Sequence, residues 1–223
     1  MKRTALVIGL ASLILTGCSW EMAEVERVQN VHKAEAAALP ATEWKEAPPY
    51  YEGHPVNPQV TDDRLLQQPG GTVLDERGEA ELLKTGDGKR ITAGPAELTV
   101  REAKLFHYYP DEELIDFYHT FTDEMGFPVA KMFVEVRNTG NHPIHFEPAA
   151  VLETDTGESK LWEDDIYLEG LGGEVGPGET KKGSVGFILE DGNAERLTVR
   201  TSDVVDGSGE KLTGGTEFEI RLE

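Results

Sequence analysis

Apolar and polar residues alternate with a period of two along much of the chain after Gly71. The alternation is clearest in residues 130–137 and recurs in several other short segments. Its apolar positions are Leu98 and Val100; Ala130, Met132, Val134 and Val136; Ile144 and Phe146; Val185, Phe187 and Leu189; Leu197 and Val199; and Phe218, Ile220 and Leu222. Because successive side chains of a β-strand point to opposite faces, the pattern predicts seven or more short strands with one apolar face.

These short strands favour an all-β fold built as an antiparallel, two-layer β-sandwich. Turn-forming sequences such as Asn138–Asn141 separate neighbouring strands, as expected for antiparallel connections. A parallel sheet would show continuous apolar strands with helices between them. The alternating pattern therefore argues against an α/β fold.

An aromatic segment, residues 106–127, lies between the first strands and holds seven of the 17 aromatic residues of the chain. Leu114, Phe117, Tyr118, Phe121 and Met125 follow helical spacing, which favours a short helical insertion over residues 111–125. The segment also alternates as a strand would, so a strand is the alternative. The candidate ligand-binding residues are Tyr108, Tyr109, Phe117, Tyr118 and Phe121. They would either form a recognition surface for a saccharide or peptide, or cap an open end of the sandwich.

The amino terminus has the pattern of a secretory signal. Lys2 and Arg3 precede an uncharged run from Ala5 to Leu15, which is shorter than the roughly 20 residues that span a bilayer. Leu15-Thr16-Gly17-Cys18 follows, and it resembles the lipobox of bacterial lipoproteins. The resemblance implies that residues 1–17 are a cleaved signal peptide and that Cys18 is the site of lipid attachment. It also implies a lipid-anchored protein on the extracytoplasmic face of the cell membrane.

Residues 18–70 are predicted to be a disordered, Pro-rich tether, because six of the 12 prolines lie between residues 40 and 69. Trp44, Tyr50 and Tyr51 form an aromatic cluster within it, either as a docking motif or as a segment that packs on the domain. The domain itself is expected over residues 71–223.

A second resemblance concerns residues 90 to 223. The sequence Phe133–Gly140, then Pro177-Gly178-Glu179, then the strand Gly183–Phe187 resemble the telokin-like, immunoglobulin-like domain of unknown function found in small lipoproteins, mostly of Gram-positive bacteria. This resemblance implies an immunoglobulin-like β-sandwich and brings no catalytic residue with it.

Charge and cysteine content narrow the possible partners. The chain has 42 acidic and 21 basic residues, a formal net charge of −21, so nucleic acid is not an expected partner. The single cysteine excludes an intramolecular disulfide and a multi-thiolate metal site. We expect the membrane, reached through the covalent lipid, and an envelope protein, peptide or saccharide as partners.

Glu163, Asp164 and Asp165 are the candidate metal ligands, since clustered carboxylates near turns suit calcium. The chain has no Gly-x-Ser-x-Gly, His-Glu-x-x-His, phosphate-loop or dinucleotide motif, so we expect neither an enzyme nor a cofactor. The sequence thus predicts a binding module of the cell envelope. The alternatives are a calcium-binding or enzymatic envelope protein that uses the acidic cluster, and a structural accessory subunit of an envelope complex.

Overall fold

The computed structural model describes residues 46–223, and this part of the chain is mostly β-structure. The strands are β1 (Thr72–Asp75), β2 (Gly78–Gly86), β3 (Lys89–Ala93), β4 (Ala96–Pro110), β5 (Phe127–Asn138), β6 (Ile144–His145), β7 (Val151–Thr154), β8 (Ser159–Leu161), β9 (Glu174–Val175), β10 (Thr180–Ile188), β11 (Arg196–Arg200), β12 (Val204–Asp206), β13 (Lys211–Thr213) and β14 (Glu217–Arg221). The α-helix α1 is Ile115–Tyr118, and 3₁₀ turns cover Pro49–Tyr51, Asp63–Leu65, Glu112–Leu114 and Trp162–Asp164.

The strands form three antiparallel sheets. The largest has the order β1-β2-β4-β5-β10, with β3 paired to the first half of β4. The two smaller sheets have the orders β14-β11-β7-β8 and β13-β12-β6-β9. Every paired strand is antiparallel, so the predicted all-β, antiparallel fold is confirmed.

The large sheet is covered on both faces. Leu98, Val100 and Leu105 of β4 belong to the apolar core shared with the smaller sheets. Phe106 and Tyr108 of the same strand belong to a second apolar cluster on the opposite face. A register shift between Val100 and Glu102 marks a β-bulge, after which the even-numbered residues of β4 face the second cluster.

Residues 49–66, hereafter the strap, cover that second face. Tyr51, Val60 and Leu66 are buried there, and the Thr61 hydroxyl donates to the carbonyl of Gly78 at 2.9 Å. The part of the expected tether that the structure describes thus packs on the domain, and the folded body includes residues before the expected boundary at residue 71. Apolar side chains at these three positions outweigh the extended geometry that the prolines favour. Residues 1–45, with the predicted signal peptide and Cys18, lie outside the described residues.

Residues 112–118 of the aromatic segment are helical, as the apolar spacing favoured, but the helix is shorter than expected and residues 106–110 belong to β4. The 3₁₀ turn begins after Asp111, whose carboxylate accepts a hydrogen bond from the Glu113 N–H at 3.1 Å, and α1 follows directly. Residues 46–223 contain no helix of the length and hydropathy that a bilayer crossing requires.

Candidate functional site

Two of the five predicted ligand-binding residues lie in the protein interior. Tyr108 and Tyr118 are 0% and 1% exposed. Their hydroxyls donate to the backbone carbonyls of Arg77 and Gln59, each at 2.6 Å. These two side chains therefore belong to the second cluster and leave no surface for a ligand.

Tyr109 has the opposite environment, because the strand period turns it outward. Its ring is 50% exposed and stacks on His107, with 4.5 Å between ring centroids and 24° between planes. Gly126 allows this stack, since a Cβ there would lie 2.4 Å from the Tyr109 ring. Phe117 and Phe121 are partly buried and 5.5 Å apart. The structure thus keeps Tyr109 and Phe121 near the surface on one edge of the domain.

A groove of about 730 Å³, hereafter the aromatic groove, opens beside this edge. His107, Phe121, Phe127 and Ile188 supply apolar and aromatic lining, and the loop 122–126 forms one wall. The charged lining residues are Asp123, Glu124, Lys160 and Glu190. The groove therefore combines aromatic surface with an excess of carboxylates.

The carboxylates of the aromatic groove lack cationic partners within residues 46–223. Asp123, Glu124 and Glu190 form no ion pair there, and Lys160 lies 3.8 Å from Glu158 outside the groove lining. The Nδ1 atom of His107 is buried without a hydrogen-bond partner in the described chain. Aromatic faces beside unpaired carboxylates suit a ligand that presents a cation next to C–H surface.

Glu163, Asp164 and Asp165 do not converge on one point. Asp164 accepts a hydrogen bond from the Leu161 N–H at 2.8 Å, while Glu163 is exposed. Within residues 46–223 no group of three or more His, Cys, Asp or Glu side chains is arranged to hold a metal ion. Glu163 and Asp164 lie in a 3₁₀ turn and Asp165 is buried after it, so these three side chains have different surroundings and share no metal position.

Asp165 instead fixes the loop between Asp165 and Glu169. It is 4% exposed and accepts N–H groups of Gly186 at 2.9 Å, Tyr167 at 3.1 Å and Leu168 at 3.3 Å. Burial raises the pKa of Asp165 to about 6, because loss of water outweighs the three N–H donors that favour the carboxylate.

A second polar site, hereafter the buried quartet, lies between the strap and the large sheet. It consists of Asp63 from the strap, Glu102 and Lys104 from β4, and Lys131 from β5. The Lys131 Nζ atom is 2.6 Å from Asp63 Oδ1, 2.7 Å from Asp63 Oδ2 and 3.3 Å from Glu102 Oε1. Lys104 Nζ is 2.9 Å from Asp63 Oδ2 and 3.0 Å from Glu102 Oε1. Two positive and two negative groups thus balance in the interior.

Two tyrosines of the strap donate hydrogen bonds to Glu102 of the buried quartet. Tyr50 donates to Glu102 Oε2 at 2.6 Å, and Tyr51 donates to Glu102 Oε1. Lys131 Nζ donates to the Tyr51 hydroxyl at 2.7 Å and lies 5.2 Å from the centroid of its ring. Burial and the neighbouring carboxylates raise the pKa of both tyrosines above the ordinary value, so each hydroxyl keeps its proton and donates.

The pKa directions of Asp63, Glu102 and Lys104 favour the ionic forms. Burial alone would raise the pKa values of Asp63 and Glu102, but the two lysines outweigh it and lower both. Burial alone would lower the pKa of Lys104, but Asp63 and Glu102 outweigh it and raise it.

Sequence reasoning missed the buried quartet because Lys104 and Lys131 occupy positions that alternate as outward polar residues. The sequence indicates this site only when the register between β4 and β5 is known. The two lysines are cross-strand partners, and like charges directly opposite each other destabilise a sheet unless carboxylates compensate them.

Beside the buried quartet, the strap also contacts the loop 165–169. His54 Nε2 is 3.0 Å from Glu169, and the Asn57 amide donates to the Tyr167 carbonyl at 2.9 Å. A cavity of about 20 Å³ lies there, and the buried Tyr167 hydroxyl has no partner within residues 46–223. That volume holds about one water molecule.

No family model matches the chain. The uncharacterized protein YdhF of Bacillus subtilis (strain 168) is 33% identical. The alignment is 238 residues long and covers 99% of this chain and 100% of YdhF. A functionally unknown protein from Listeria monocytogenes EGD-e is 12% identical, with a TM-score of 0.48 over 66% of this chain and 87% of that one. A Bacillus subtilis protein described as "a putative lipoprotein (ycdA)" is 17% identical, with a TM-score of 0.39 over 59% of this chain and 38% of that one.

Proposed function

The chain belongs to the same family as the uncharacterized protein YdhF of Bacillus subtilis, and we propose that it is a lipid-anchored binding module of the cell envelope. The ligand occupies the aromatic groove, and the membrane is reached through a lipid on Cys18. The domain works outside the cytoplasm, with an envelope peptide or saccharide as ligand. Nucleic acid is not a partner, because the net charge is −21.

The observation that supports a binding role is the composition of the aromatic groove. His107 lines the groove and stacks on Tyr109, and Asp123, Glu124 and Glu190 bring three carboxylates without ion-pair partners in residues 46–223. A ring stack of this kind offers a rigid face for the C–H surface of a sugar or an aliphatic side chain. The carboxylates select a ligand that carries an ammonium group.

The anchor is supported by Leu15-Thr16-Gly17-Cys18 and by the short apolar run before it. Two or more acyl chains hold a protein firmly at a bilayer, since each buried CH₂ contributes about 0.8 kcal/mol. The acidic domain gains nothing from anionic headgroups, so the lipid must supply the attachment.

Cell fractionation tests the anchor. The native chain is expected in the membrane fraction and accessible to a reagent added to intact cells. Cys18→Ser should appear in the medium or remain as an unprocessed precursor. An unmodified Cys18 thiol in the purified native protein would disprove the anchor.

Calorimetric titration of the full chain tests the aromatic groove with defined probes. Oligosaccharides of glucosamine are compared with their N-acetylated forms, and a lysine-containing peptide with its acetylated form. Binding of an amine-bearing probe, loss of binding on acetylation, and weakening by Phe121→Ala are expected, because Phe121 lines the groove. Leu74→Ala is the matched control, because Leu74 is 74% exposed on β1 and does not line the groove. Failure of every probe to bind would reject cation recognition there.

The calcium alternative is tested with the same protein. A calcium titration with heat and a raised melting temperature, both lost in Asp164→Asn, would favour a calcium-dependent envelope protein over the binding module.

A further inference from the structure

We propose that Lys131 and Asp63 condense to form an isopeptide bond, which joins the strap covalently to β5. The two groups face each other as reacting partners do. The Nζ atom lies within 2.7 Å of both carboxylate oxygens, so it faces the carboxyl carbon between them. Productive intramolecular reactions place the reacting atoms roughly 3–3.5 Å apart.

Bulk water is kept from the pair, and the cavity of about 20 Å³ that Lys131 and Asp63 line has space for about one water molecule. Lys131 is 1% exposed and Asp63 is 4% exposed, and the rings of Tyr51 and Tyr167 lie 5.2 and 5.9 Å from Nζ. A dry site removes the bulk water that would otherwise favour the free acid and amine. It also strengthens every electrostatic contact to the reacting atoms.

The other two members of the buried quartet are placed to assist. Glu102 Oε1 is 3.3 Å from the Lys131 Nζ atom, within reach to accept a proton from it. Lys104 Nζ is 2.9 Å from Asp63 Oδ2, where negative charge develops when the carboxyl carbon is attacked. Lys104 contacts only one of the two Asp63 carboxylate oxygens, whereas Lys131 contacts both, so Lys131 is the nucleophile.

The reaction balances without an oxidant or a co-reactant. The Lys131 ammonium first passes a proton to Asp63 Oδ1, which leaves a neutral amine and a neutral acid. The Nζ lone pair then forms a bond to Cγ, and the carbonyl electron pair moves onto Oδ2 beside Lys104. Glu102 takes a second proton from the nitrogen and passes it to Oδ1. The electron pair on Oδ2 re-forms the carbonyl as the Cγ–Oδ1 bond breaks, water leaves, and the product is an amide that keeps one N–H.

Charge balance favours the product. The reactants hold two positive and two negative groups in the interior, where each buried ion carries a desolvation penalty. The bond removes one pair and leaves Lys104 and Glu102 matched at 3.0 Å. Because the lysines lower the pKa of Asp63, the first proton transfer is uphill, and the bond forms slowly after folding.

Tryptic digestion of the full chain, stored for several days after purification, gives a direct test by mass spectrometry. Trypsin releases residues 46–64 around Asp63, and it separates residues 105–131 from 132–137 when Lys131 is free. The bond predicts residues 46–64 joined to an uncut 105–137, lighter than the two peptides together by one water. Complete recovery of free 46–64 and 105–131 would overturn the proposal. A link to residues 102–131 would overturn the choice of nucleophile.

Three variants assign the roles. Lys131→Arg keeps the charge and should abolish the link, while Glu102→Gln keeps the shape and should leave little of it. Asp62→Asn is the matched control, because its carboxylate binds Arg64 at 2.6 Å, and the link should persist. An intact link in Lys131→Arg would overturn the proposal, and an undiminished link in Glu102→Gln would overturn the role of Glu102. Circular dichroism confirms folding of each variant.

Discussion

The Nζ atom of Lys131 lies 2.6 Å from Oδ1 of Asp63, although 68 positions separate the two residues in the chain. This contact joins the strap to β5, one of the two long strands of the large sheet. The strap is therefore held by charge as well as by the burial of Tyr51, Val60 and Leu66. Removing one charge from such a site leaves its partners buried and uncompensated, which is costly.

Lys104→Met tests the energetic weight of the buried quartet. The substitution keeps the volume and removes one of two positive charges, so Glu102 and Asp63 lose a buried partner. We expect the free energy of unfolding to fall by about 3–5 kcal/mol in urea denaturation. Glu135→Ala breaks the ion pair with Arg101, which is 37% exposed on the side chain, and should cost no more than about 1 kcal/mol. Equal effects of the two substitutions would contradict this ranking.

Adjacent tyrosines of β4 should respond differently to the same substitution. Tyr108→Ala empties a fully buried position and is expected to cost about 3–5 kcal/mol. Tyr109→Ala changes a half-exposed ring, and its effect on stability should stay within about 1 kcal/mol. Thermal and urea unfolding measure both. If Tyr109→Ala unfolded the domain while Tyr108→Ala did not, the assignment of faces along β4 would be wrong.

Gly126→Ala probes the stack of Tyr109 on His107. The new Cβ would lie 2.4 and 2.5 Å from two ring atoms of Tyr109, so the ring must swing away. Tyr109 is half exposed, and the displacement should cost no more than about 1 kcal/mol of stability. The chemical shifts of the His107 ring protons should change through loss of ring-current shielding. Unchanged His107 shifts would show that Gly126 does not position Tyr109. Gly207→Ala serves as the control, because this glycine has open space around it and no left-handed backbone.

The raised pKa of Asp165 predicts that the stability of the fold increases as the pH falls. Its folded pKa of about 6 exceeds the ordinary value of 3.8, so the folded state holds the proton more tightly than the unfolded state between these values. Stability contributed by this group therefore rises as the pH falls from above 6 towards 4. Between pH 7.5 and 5 the gain should be roughly 1 kcal/mol.

Urea denaturation at several pH values measures that gain. Asp165→Asn should lose it, while Asp164→Asn, whose side chain caps the Leu161 N–H, should keep the wild-type slope. An identical slope in Asp165→Asn and in the wild type would show that another group titrates in this range.

The period-two pattern was sufficient to predict the antiparallel β-fold, because residues such as Val134 and Val136 lie on the core face as their spacing requires. The same pattern assigned Lys131 to solvent, and this assignment fails because the strap covers the opposite face. The pattern also could not show the bulge at Val100 and Glu102, which turns Glu102 and Lys104 towards the strap. Such shifts depend on tertiary packing, which local spacing does not encode.

The predicted binding residues overlap the aromatic groove only in part. The aromatic segment contributes Phe121 to the groove lining, but its tyrosines divide between interior and surface. Tyr108 and Tyr109 are neighbours on β4, so their side chains point to opposite faces of the sheet. The sequence did not fix where this strand ends, so it did not assign either face. The carboxylates Asp123 and Glu124 sit in the loop after α1, while Glu190 follows β10, so their proximity arises only when β5 and β10 pair.

The placement of the strap also sets how the domain would bear tension. A pull on the amino-terminal end of the described chain first meets Lys182 of β10, whose ammonium donates to the Tyr50 and Glu52 carbonyls at 3.2 and 2.6 Å. It then meets Lys131 on β5, a strand flanked by β4 and β10. The load is thus shared between the edge strand β10 and the interior strand β5 paired with it, so two neighbouring strands resist the pull together.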